Sequence, residues 1–479
     1  MGTMPLWIGK RDLLAMSDAE LAGLRRIRCS AENGSQALAG LRQLLGAQGQ
    51  VISPQSHALT QRVFGQPLSV HQVVDRVCDD VLAHGLEKVI HYTEQFDGVR
   101  LCPRTVRVDP ADLAQAHAQA APELLNIVRK IRANVLEFQK LCLPIDPTLN
   151  RADGSTLTLR HTPIHRVGVH IPGGAAAYPS TLLMTVVPAQ AAGVGEIVVV
   201  MPPTAGGANN PTMLAVCHEL GITEVYRVGG AQAIAGLAHG CLGKPVDMIV
   251  GPGNQFVALA KKRVYGTVKI DCIAGPSEVI VLADKTARPD WVAMEMLAQA
   301  EHSPGSAILV TWDESLWENV AKELVNQLNQ IERGDLARAC IEQFGAFVLA
   351  RSEDEAIEIT NSFAPEHLQI SSDDAARLGS RVANAGAIFL GHHTPVALGD
   401  YAAGPSHVLP TGGTGRHASG LAAIDFLKRT SIINYPKRAL ETIAPLVVGL
   451  AQEEGLTAHA RSVSMRLCPQ NIPTNPTSP

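Results

Sequence analysis

The fold is decided by residues 166–230, which read RVGVHIPGGAAAYPSTLLMTVVPAQAAGVGEIVVVMPPTAGGANNPTMLAVCHELGITEVYRVGG. Three short runs rich in valine and isoleucine alternate here with two longer segments that have the character of helices. A fourth strand, VDMIVGPG at 246–253, and a further helix, NQFVALAKKRVYG at 254–266, continue the pattern. Strands that alternate with helices at this spacing indicate βαβ units and a parallel sheet.

The alternation continues beyond this stretch and predicts a second α/β unit. Its helices are predicted around PDWVAMEMLAQAEH at 289–302, at 314–332 and at 353–363. Its predicted strands share a short apolar composition and lie at 269–275, 277–284, 306–312, 346–350, 367–371 and 387–391.

Length and composition describe an ordinary globular chain. Its 479 residues leave room for two to four domains. Hydrophobic residues make up 46% and charged residues 18%, which argues against intrinsic disorder. The net charge of −5 argues against a protein that coats nucleic acid and against a polybasic membrane anchor.

The cysteines and the apolar runs favour a cytoplasmic protein. The nine cysteines are scattered and form no C-x-x-C motif, which argues against a secreted disulfide scaffold and a structural zinc finger. The first residues show no signal-peptide pattern. The longest apolar stretch, Thr181–Pro203, is interrupted by Pro188, Gln190 and Glu196 and is too polar to span a bilayer. We therefore expect a soluble cytoplasmic protein.

The two ends of the chain are less regular. Residues 1–60 are expected to be helical with glycine and serine breaks, and Ser17 with Glu20 has the spacing of a capping box. A loop of about thirty residues rich in glycine, proline and histidine follows Gly391, and loops of this length are commonly functional. Helices are expected from there to Leu467, and the proline-rich tail 468–479 is expected to be disordered.

Three glycine-rich turns follow predicted strands, at IPGG (Gly173), VGG (Gly229) and GPGNQF (Gly251). The complete G-x-G-x-x-G fingerprint is absent. Each turn alone is explained by the backbone freedom of glycine. Three of them at successive strand ends favour a nucleotide-like ligand, because ligands of open α/β sheets gather at the carboxyl edge.

Two sets of polar residues are candidates for chemistry. Gln299 and His302 lie three apart near a helix end, and spacing alone favours a surface pair. With Asp400 and His459 they would make a nitrogen–oxygen set suited to zinc or a similar divalent ion, although their convergence does not follow from the sequence.

Glu366 and His367 stand side by side in an APEH run before a predicted strand. An adjacent carboxylate and imidazole can divide acid and base work, whereas in isolation a solvated pair is the commoner arrangement. No H-E-x-x-H, G-x-S-x-G or Walker A motif occurs, so metalloprotease, serine-hydrolase and P-loop functions are disfavoured.

Together, these runs resemble the histidinol dehydrogenase family over roughly Ser69–Leu467, in that family's order. The runs that carry the resemblance are RVGVHIPGGAAAYPSTLLMT, YRVGGAQAIAGLAHG, GPGNQFVALAKKRV, DCIAGPSEVIVLAD, LAQAEHSPGSA, FAPEHLQI, GDYAAGPSHVLPTGG and EEGLTAHARSV, with YTEQFDGVRL upstream.

The resemblance implies an α/β fold of two incomplete Rossmann-like domains, one inserted in the other, with small helical N- and C-terminal domains. The boundaries it implies are 1–60 for the N-terminal segment, 61–165 with 277–418 for the first Rossmann-like domain, 166–276 for the inserted second domain, 419–467 for the C-terminal helical domain and 468–479 for the tail.

The resemblance also implies a reaction. The family oxidises L-histidinol to L-histidine through the aldehyde, with two NAD and one zinc per site, as the last step of histidine biosynthesis. It implies a cytoplasmic homodimer with shared active sites and no nucleic-acid or membrane partner. By position, the resemblance implies that the bases are Glu366 and His367 and that the zinc ligands are Gln299, His302, Asp400 and His459. The implied substrate contacts are Ser277, His367, Glu454 and the four zinc ligands. The implied NAD contacts are His170, Gln232 and Asn254.

His170 departs from the family pattern, which usually has tyrosine at this turn; the ring is kept and the phenol is lost. His407 also matches an active-site position. Two alternatives stay open from sequence: a related dehydrogenase of another polar alcohol, such as a sulfonated diol, and a catalytically silent zinc-binding protein.

Overall fold

The computed structural model describes residues 24–48, 54–173, 177–302 and 305–467. The chain divides into two compact units. The first unit takes the residues up to Cys142 together with Ile164–Phe426, and the second takes Leu143–Pro163 with the residues from Leu427 onward.

A six-stranded parallel sheet forms one half of the first unit. Its strands are β1 (Arg26–Arg28), β9 (Ser277–Ala283), β10 (Gly305–Thr311), β11 (Ala346–Leu349), β12 (His367–Ser371) and β13 (Ala387–Leu390). They pair in the order β1-β11-β10-β9-β12-β13. Every residue of β10 is buried, as expected for a parallel strand covered by helices on both faces.

A five-stranded parallel sheet forms the other half. Its strands are β4 (Arg166–His170), β5 (Glu196–Met201), β6 (Glu224–Arg227), β7 (Met248–Val250) and β8 (Lys269–Ile270). They pair in the order β6-β5-β4-β7-β8. Because β1 precedes and β9 follows this sheet along the chain, one α/β unit is inserted in the other, which confirms the predicted fold class.

Helices connect the strands of the first unit. They are α1 (Gly34–Gln48), α2 (Pro54–Phe64), α3 (Val70–His84), α4 (Leu86–Asp97), α5 (Pro110–Gln119), α6 (Pro122–Leu141), α7 (Pro179–Ala191), α8 (Pro211–Glu219), α9 (Gly230–Ala238), α10 (Gln255–Val264), α11 (Pro289–Ala300), α12 (Glu314–Leu328), α13 (Gly334–Phe344), α14 (Glu353–Phe363), α15 (Ala375–Gly379) and α16 (Ala397–Tyr401). Short helix α16 lies inside the segment after Gly391 that was expected to be a loop. No helix among the described residues is long and apolar enough to cross a bilayer.

The hydrophobic cores follow the two sheets. Helices α3 and α4 pack through Val77, Val81 and Val89 into the core of the five-stranded sheet. The resemblance implies that residues 61–165 belong to the domain of the six-stranded sheet. Helices α3 and α4 lie in this range but pack into the core of the five-stranded sheet. The domain boundaries as a whole stay a prediction.

The second unit contains a three-stranded antiparallel sheet and two helices. Its strands are β2 (Thr148–Asn150), β3 (Thr156–Pro163) and β14 (Leu427–Asn434), in the order β14-β3-β2. Its helices are α17 (Lys437–Glu453) and α18 (Thr457–Ser464).

Two strands lie in segments for which the sequence predicts helices. Strand β14 pairs with β3 over eight residues, from Leu427 opposite Pro163 to Asn434 opposite Thr156. Strand β1 pairs with β11 and buries only Ile27. Both are fixed by pairing with strands distant in the chain, which local periodicity does not reveal. The predicted helix start at Ser17 and the tail 468–479 lie outside the described residues.

Candidate active site

The candidate residues of the six-stranded sheet gather at the amino ends of its strands. Ser277 begins β9, and His367 begins β12 with Glu366 directly before it. Gln299 lies in the last turn of α11, and His302 follows the helix before the start of β10. The carboxyl end of a helix carries a partial negative charge, so α11 makes this edge favourable for a cation.

A strained turn delivers Glu366 and His367 to this edge. Ala364 ends α14 with a φ of 50°, and it is the only non-glycine residue with positive φ in the described part of the chain. Its amide donates to the carbonyl of Thr360 at 3.1 Å, and its side chain is fully buried. The turn closes α14 abruptly, and Pro365 then leads into β12.

Glu366 is a buried carboxyl group with ordered donors. Its Oε2 accepts hydrogen bonds from the Ser277 hydroxyl at 2.6 Å and from the Glu278 amide at 2.8 Å. Burial raises its pKa, while the nearby His367 charge and these two donors oppose the rise. The hydrogen bonds hold the carboxyl in one place, as a general base requires.

His367 lies between two carboxylates. Its Nδ1 donates to the carbonyl of Glu278 at 3.1 Å, and its Nε2 lies 3.6 Å from Oδ1 of Asp400. Burial alone would lower its pKa, but the negative charges of Glu366 and Asp400 outweigh burial and raise the pKa to about 9. Nε2 is buried and has no hydrogen-bond partner, so it is the ring atom left available for chemistry.

Glu278 is a residue of this cluster that the sequence analysis did not select. Its Oε1 accepts from the amides of Gly412 at 2.9 Å and Glu366 at 3.3 Å. Burial and the negative charge of Glu366 raise its pKa to about 7. The available signal was a charged residue at the start of the otherwise apolar strand β9.

Three of the four candidate metal ligands lie in the first unit in states that suit a metal. Gln299 is buried, and Nε2 of its amide has no hydrogen-bond partner; turning the amide over about its last bond puts Oε1, the atom that metals bind, in that place. His302 keeps a solvent-accessible edge, yet desolvation lowers its pKa and favours the neutral ring that metals bind. Burial works against ionisation of Asp400, but His367 outweighs it and lowers the pKa of the carboxyl.

The donor set therefore fits zinc chemically, although no group of three or more histidine, cysteine and carboxylate side chains converges as a metal site among the described residues. His407 donates from Nδ1 to the carbonyl of Asp400 at 2.9 Å and fixes the backbone there. His459 and Glu454 belong to the second unit, where both side chains are exposed.

The candidate cofactor residues lie at the carboxyl edge of the five-stranded sheet. His170 ends β4, Gln232 lies in the first turn of α9 after β6, and Asn254 caps α10 after β7. Strand order reverses between β4 and β7, so their carboxyl ends border the crevice where open α/β sheets bind ligands.

His170 and Gln232 both carry a buried acceptor without a partner. Nδ1 of His170 donates to the carbonyl of Pro252 at 2.8 Å, which leaves the ring's lone pair on the unpartnered Nε2. Burial, aided by the charge of Lys261, lowers the pKa of His170 to about 4, so the ring is neutral. Oε1 of Gln232 has no partner either, whereas Oδ1 of Asn254 caps α10.

The glycines of these turns have packing reasons of their own. A Cβ on Gly251, whose φ is 109°, would lie 2.1 Å from the carbonyl oxygen of His170. A Cβ on Gly173 or Gly229 would meet the ring of Pro202 at 2.6 or 2.8 Å. Close approach within the protein therefore explains these three glycines.

We predict that Glu278→Gln changes stability in a pH-dependent way. A carboxyl whose folded pKa is raised from 4.5 to about 7 costs the folded state increasingly as pH rises through this window. From pH 5 to pH 8, the free energy of unfolding of the variant should rise relative to that of the wild type by about 1–3 kcal/mol. Urea unfolding at each pH measures this difference.

Glu353→Gln is the matched control. The Arg377 guanidinium lowers the pKa of Glu353, and its partners Arg377 and Arg381 stay charged, so this carboxylate and its partners are ionised across the whole window. Its loss should lower stability by the same amount at every pH from 5 to 8. A Glu278→Gln curve that runs parallel to the wild type would show that Glu278 titrates normally.

A family model for histidinol dehydrogenase matches residues 61–467. The chain is 56% identical to a histidinol dehydrogenase of Rhodopirellula baltica over 91% of this chain and 95% of the relative. It is 46% identical to one of Geobacillus kaustophilus over 78% and 89%, respectively. A crystal structure of histidinol dehydrogenase from Elizabethkingia anophelis matches with a TM-score of 0.82 at 30% identity, over 93% of this chain and 98% of that chain. The chain therefore belongs to the histidinol dehydrogenase family.

Proposed function

We propose that this protein oxidises L-histidinol to L-histidine in two steps through histidinal, with NAD as the hydride acceptor, in the cytoplasm. The observation that carries the proposal is the buried Glu366–His367 pair, held by Ser277 and Glu278 at the amino edge of the six-stranded sheet. A carboxyl and an imidazole in contact supply the two bases that an alcohol oxidation and an aldehyde hydration need.

Zinc would be held by Gln299, His302, Asp400 and His459. When bound, it would hold the amine and imidazole of the substrate and so fix the carbinol carbon for hydride transfer. The unpartnered amide of Gln299, the lowered pKa of His302 and the ionised Asp400 support this assignment.

His367 takes the hydroxyl proton of the substrate at Nε2 as hydride leaves the carbinol carbon. Its Nδ1 keeps its proton and donates it in a hydrogen bond to the carbonyl of Glu278, which fixes the tautomer. The charges of Glu366 and Asp400 together raise the pKa of His367, so a neutral ring at physiological pH requires these charges to be offset. A metal held by Asp400 would offset one of the two.

Glu366 activates the water that adds to the aldehyde, and His367 assists the second oxidation. The raised pKa of the buried Glu366 makes it a stronger base than an exposed carboxylate. Ser277 and Glu454 complete the proposed substrate contacts together with the metal ligands. Ser277 donates its hydroxyl hydrogen to Glu366 in a hydrogen bond, so its oxygen acts as an acceptor toward the substrate.

NAD would bind at the crevice beside His170, Gln232 and Asn254. The position fits the general rule for ligands of open parallel sheets. The unpartnered acceptors on His170 and Gln232 suit donors such as hydroxyl and carboxamide groups.

The working form would be a homodimer in which each site takes His459 and Glu454 from the other chain. The buried apolar side chains of α17 and α18 are all alanines. Large apolar side chains of the second unit are exposed by contrast, Leu446 by 72%, Leu450 by 64% and Ile433 by 69%. Such a surface supports coverage by a second copy of the chain.

The deciding experiment measures NADH formation from L-histidinol by purified protein with and without a chelator. Chelation should abolish turnover, and added zinc should restore it. Full activity of metal-free protein would refute the zinc assignment, and turnover of another polar alcohol but not histidinol would refute the substrate.

His302→Ala should lower both the zinc content per chain and the activity, because one ligand is lost. His393→Ala is the control. The ring of His393 packs against the ring of Trp291, and no motif of the proposed site includes His393. Elemental analysis should find unchanged zinc in the control. Equal zinc loss in both variants would contradict the ligand role.

Glu366→Gln should slow oxidation of histidinal by roughly 100-fold or more, the usual range for loss of a general base. Oxidation of histidinol should be slowed much less, because that step needs no activated water. Stopped-flow measurement of NADH with each substrate separates the two steps. An equal loss in both would mean that Glu366 acts through His367 or through folding.

Mixing inactive variants tests the shared site. His302→Ala and His459→Ala chains are unfolded together, refolded without metal and then given zinc. Random pairing makes half the dimers mixed, and each mixed dimer has one intact site, so about a quarter of wild-type activity should return. If each site is built from one chain, nothing returns. Each variant refolded alone must stay inactive, and mixed dimers must be detected.

A further inference from the structure

A buried ion pair that the proposed chemistry does not use lies beside the turn after β7. Lys261 comes from α10 and Asp271 follows β8, and each side chain is only 2% exposed. Buried charges of this kind are rare, because removing them from water is costly unless other groups satisfy them. Their remaining hydrogen bonds therefore indicate what the pair is for.

Both backbone polar groups of Gly251 are bound by this pair. Oδ2 of Asp271 accepts from the Gly251 amide at 2.7 Å, and Nζ of Lys261 donates to the Gly251 carbonyl at 3.0 Å. The residue has a φ of 109°, and its Cα is packed against the carbonyl of His170. The pair thus holds a backbone conformation that only glycine adopts readily.

The same turn carries the proposed cofactor contacts. Pro252 accepts the hydrogen bond of His170, and Asn254 caps α10. Oδ1 of Asp271 also accepts from the Cys272 amide at 2.7 Å.

We propose that Lys261 and Asp271 are positioning residues that fix the turn 251–254 for NAD. Both side chains are buried and bonded to the backbone of Gly251, so they act through the turn. The inference rests on the proposed function, because it requires NAD to bind at this edge. A purely stabilising pair is the rival explanation, although buried ion pairs often add little to stability compared with apolar replacements.

The test uses the full-length double variant Lys261→Met with Asp271→Asn. It removes both charges, keeps the side-chain volumes and leaves an acceptor for the Gly251 amide. The dissociation constant for NAD, measured by titration calorimetry, should rise about tenfold or more, in line with the loss of a hydrogen bond from a charged donor. The KM for histidinol at saturating NAD should change less than about twofold. Bound NAD holds the turn 251–254 in place under these conditions, and the proposed substrate contacts of the first unit lie at the other sheet.

Arg166→Met is the matched control. Arg166 is another buried cation of the same sheet, bonded to Glu196 at 2.6 Å and Glu224 at 2.8 Å, but it stands at the amino end of β4, away from the turn. It should lower the melting temperature and leave NAD affinity unchanged. A purely stabilising role of Lys261 and Asp271 would give the double variant the same behaviour.

Unchanged NAD affinity in the double variant, or an equal loss of affinity in Arg166→Met, overturns the positioning role. If the double variant does not fold, Lys261→Arg is measured, which keeps the charge and misplaces the donor to Gly251. A rise of about threefold or more in the NAD dissociation constant supports the positioning role, and an unchanged constant overturns it. If the wild type binds NAD and oxidises histidinol, the proposed function stands even where the double variant contradicts the positioning role. A wild type that does not bind NAD overturns both.

Discussion

The carboxyl group of Glu366 is the point on which the candidate site depends. A buried carboxylate is tolerated only where donors and a neighbouring positive charge replace water. Here the donors are the hydroxyl of Ser277 and the amide of Glu278, and the charge is that of His367. These groups come from the starts of two adjacent parallel strands, so the register of β9 with β12 is itself part of the site.

The two parallel sheets carry their candidate residues at opposite edges. The five-stranded sheet offers its carboxyl edge at the reversal of strand order, whereas the six-stranded sheet offers its amino edge. At the carboxyl edge of the latter, side chains bond one another: Ser372 donates to Asp284 at 2.6 Å, and Ser371 pairs with His392 at 2.9 Å. Those bonds occupy the crevice that would otherwise be expected to bind a ligand.

The sequence predicts the sheets well because strands buried on both faces are continuous apolar runs that local pattern detects. It predicts the site only through the resemblance, since spacing alone leaves Gln299 and His302 as a surface pair and Glu366 with His367 as a solvated one. Glu278 escapes prediction because its role depends on burial beside Glu366, which only the folded strands create. Strand β14 escapes because its partner β3 is far away in the chain.

The left-handed residue Ala364 restricts how this protein can evolve. Its backbone conformation costs a residue other than glycine roughly 1–2 kcal/mol, and its side chain has no exposed surface. Asparagine tolerates the conformation but is too large for the space, and β-branched residues fit neither demand. Alanine and glycine are left as the permitted residues. Exchange between them trades backbone strain against the stiffness with which Glu366, the proposed base, is held, so drift at this position would change how that carboxyl is presented without replacing any proposed catalytic group.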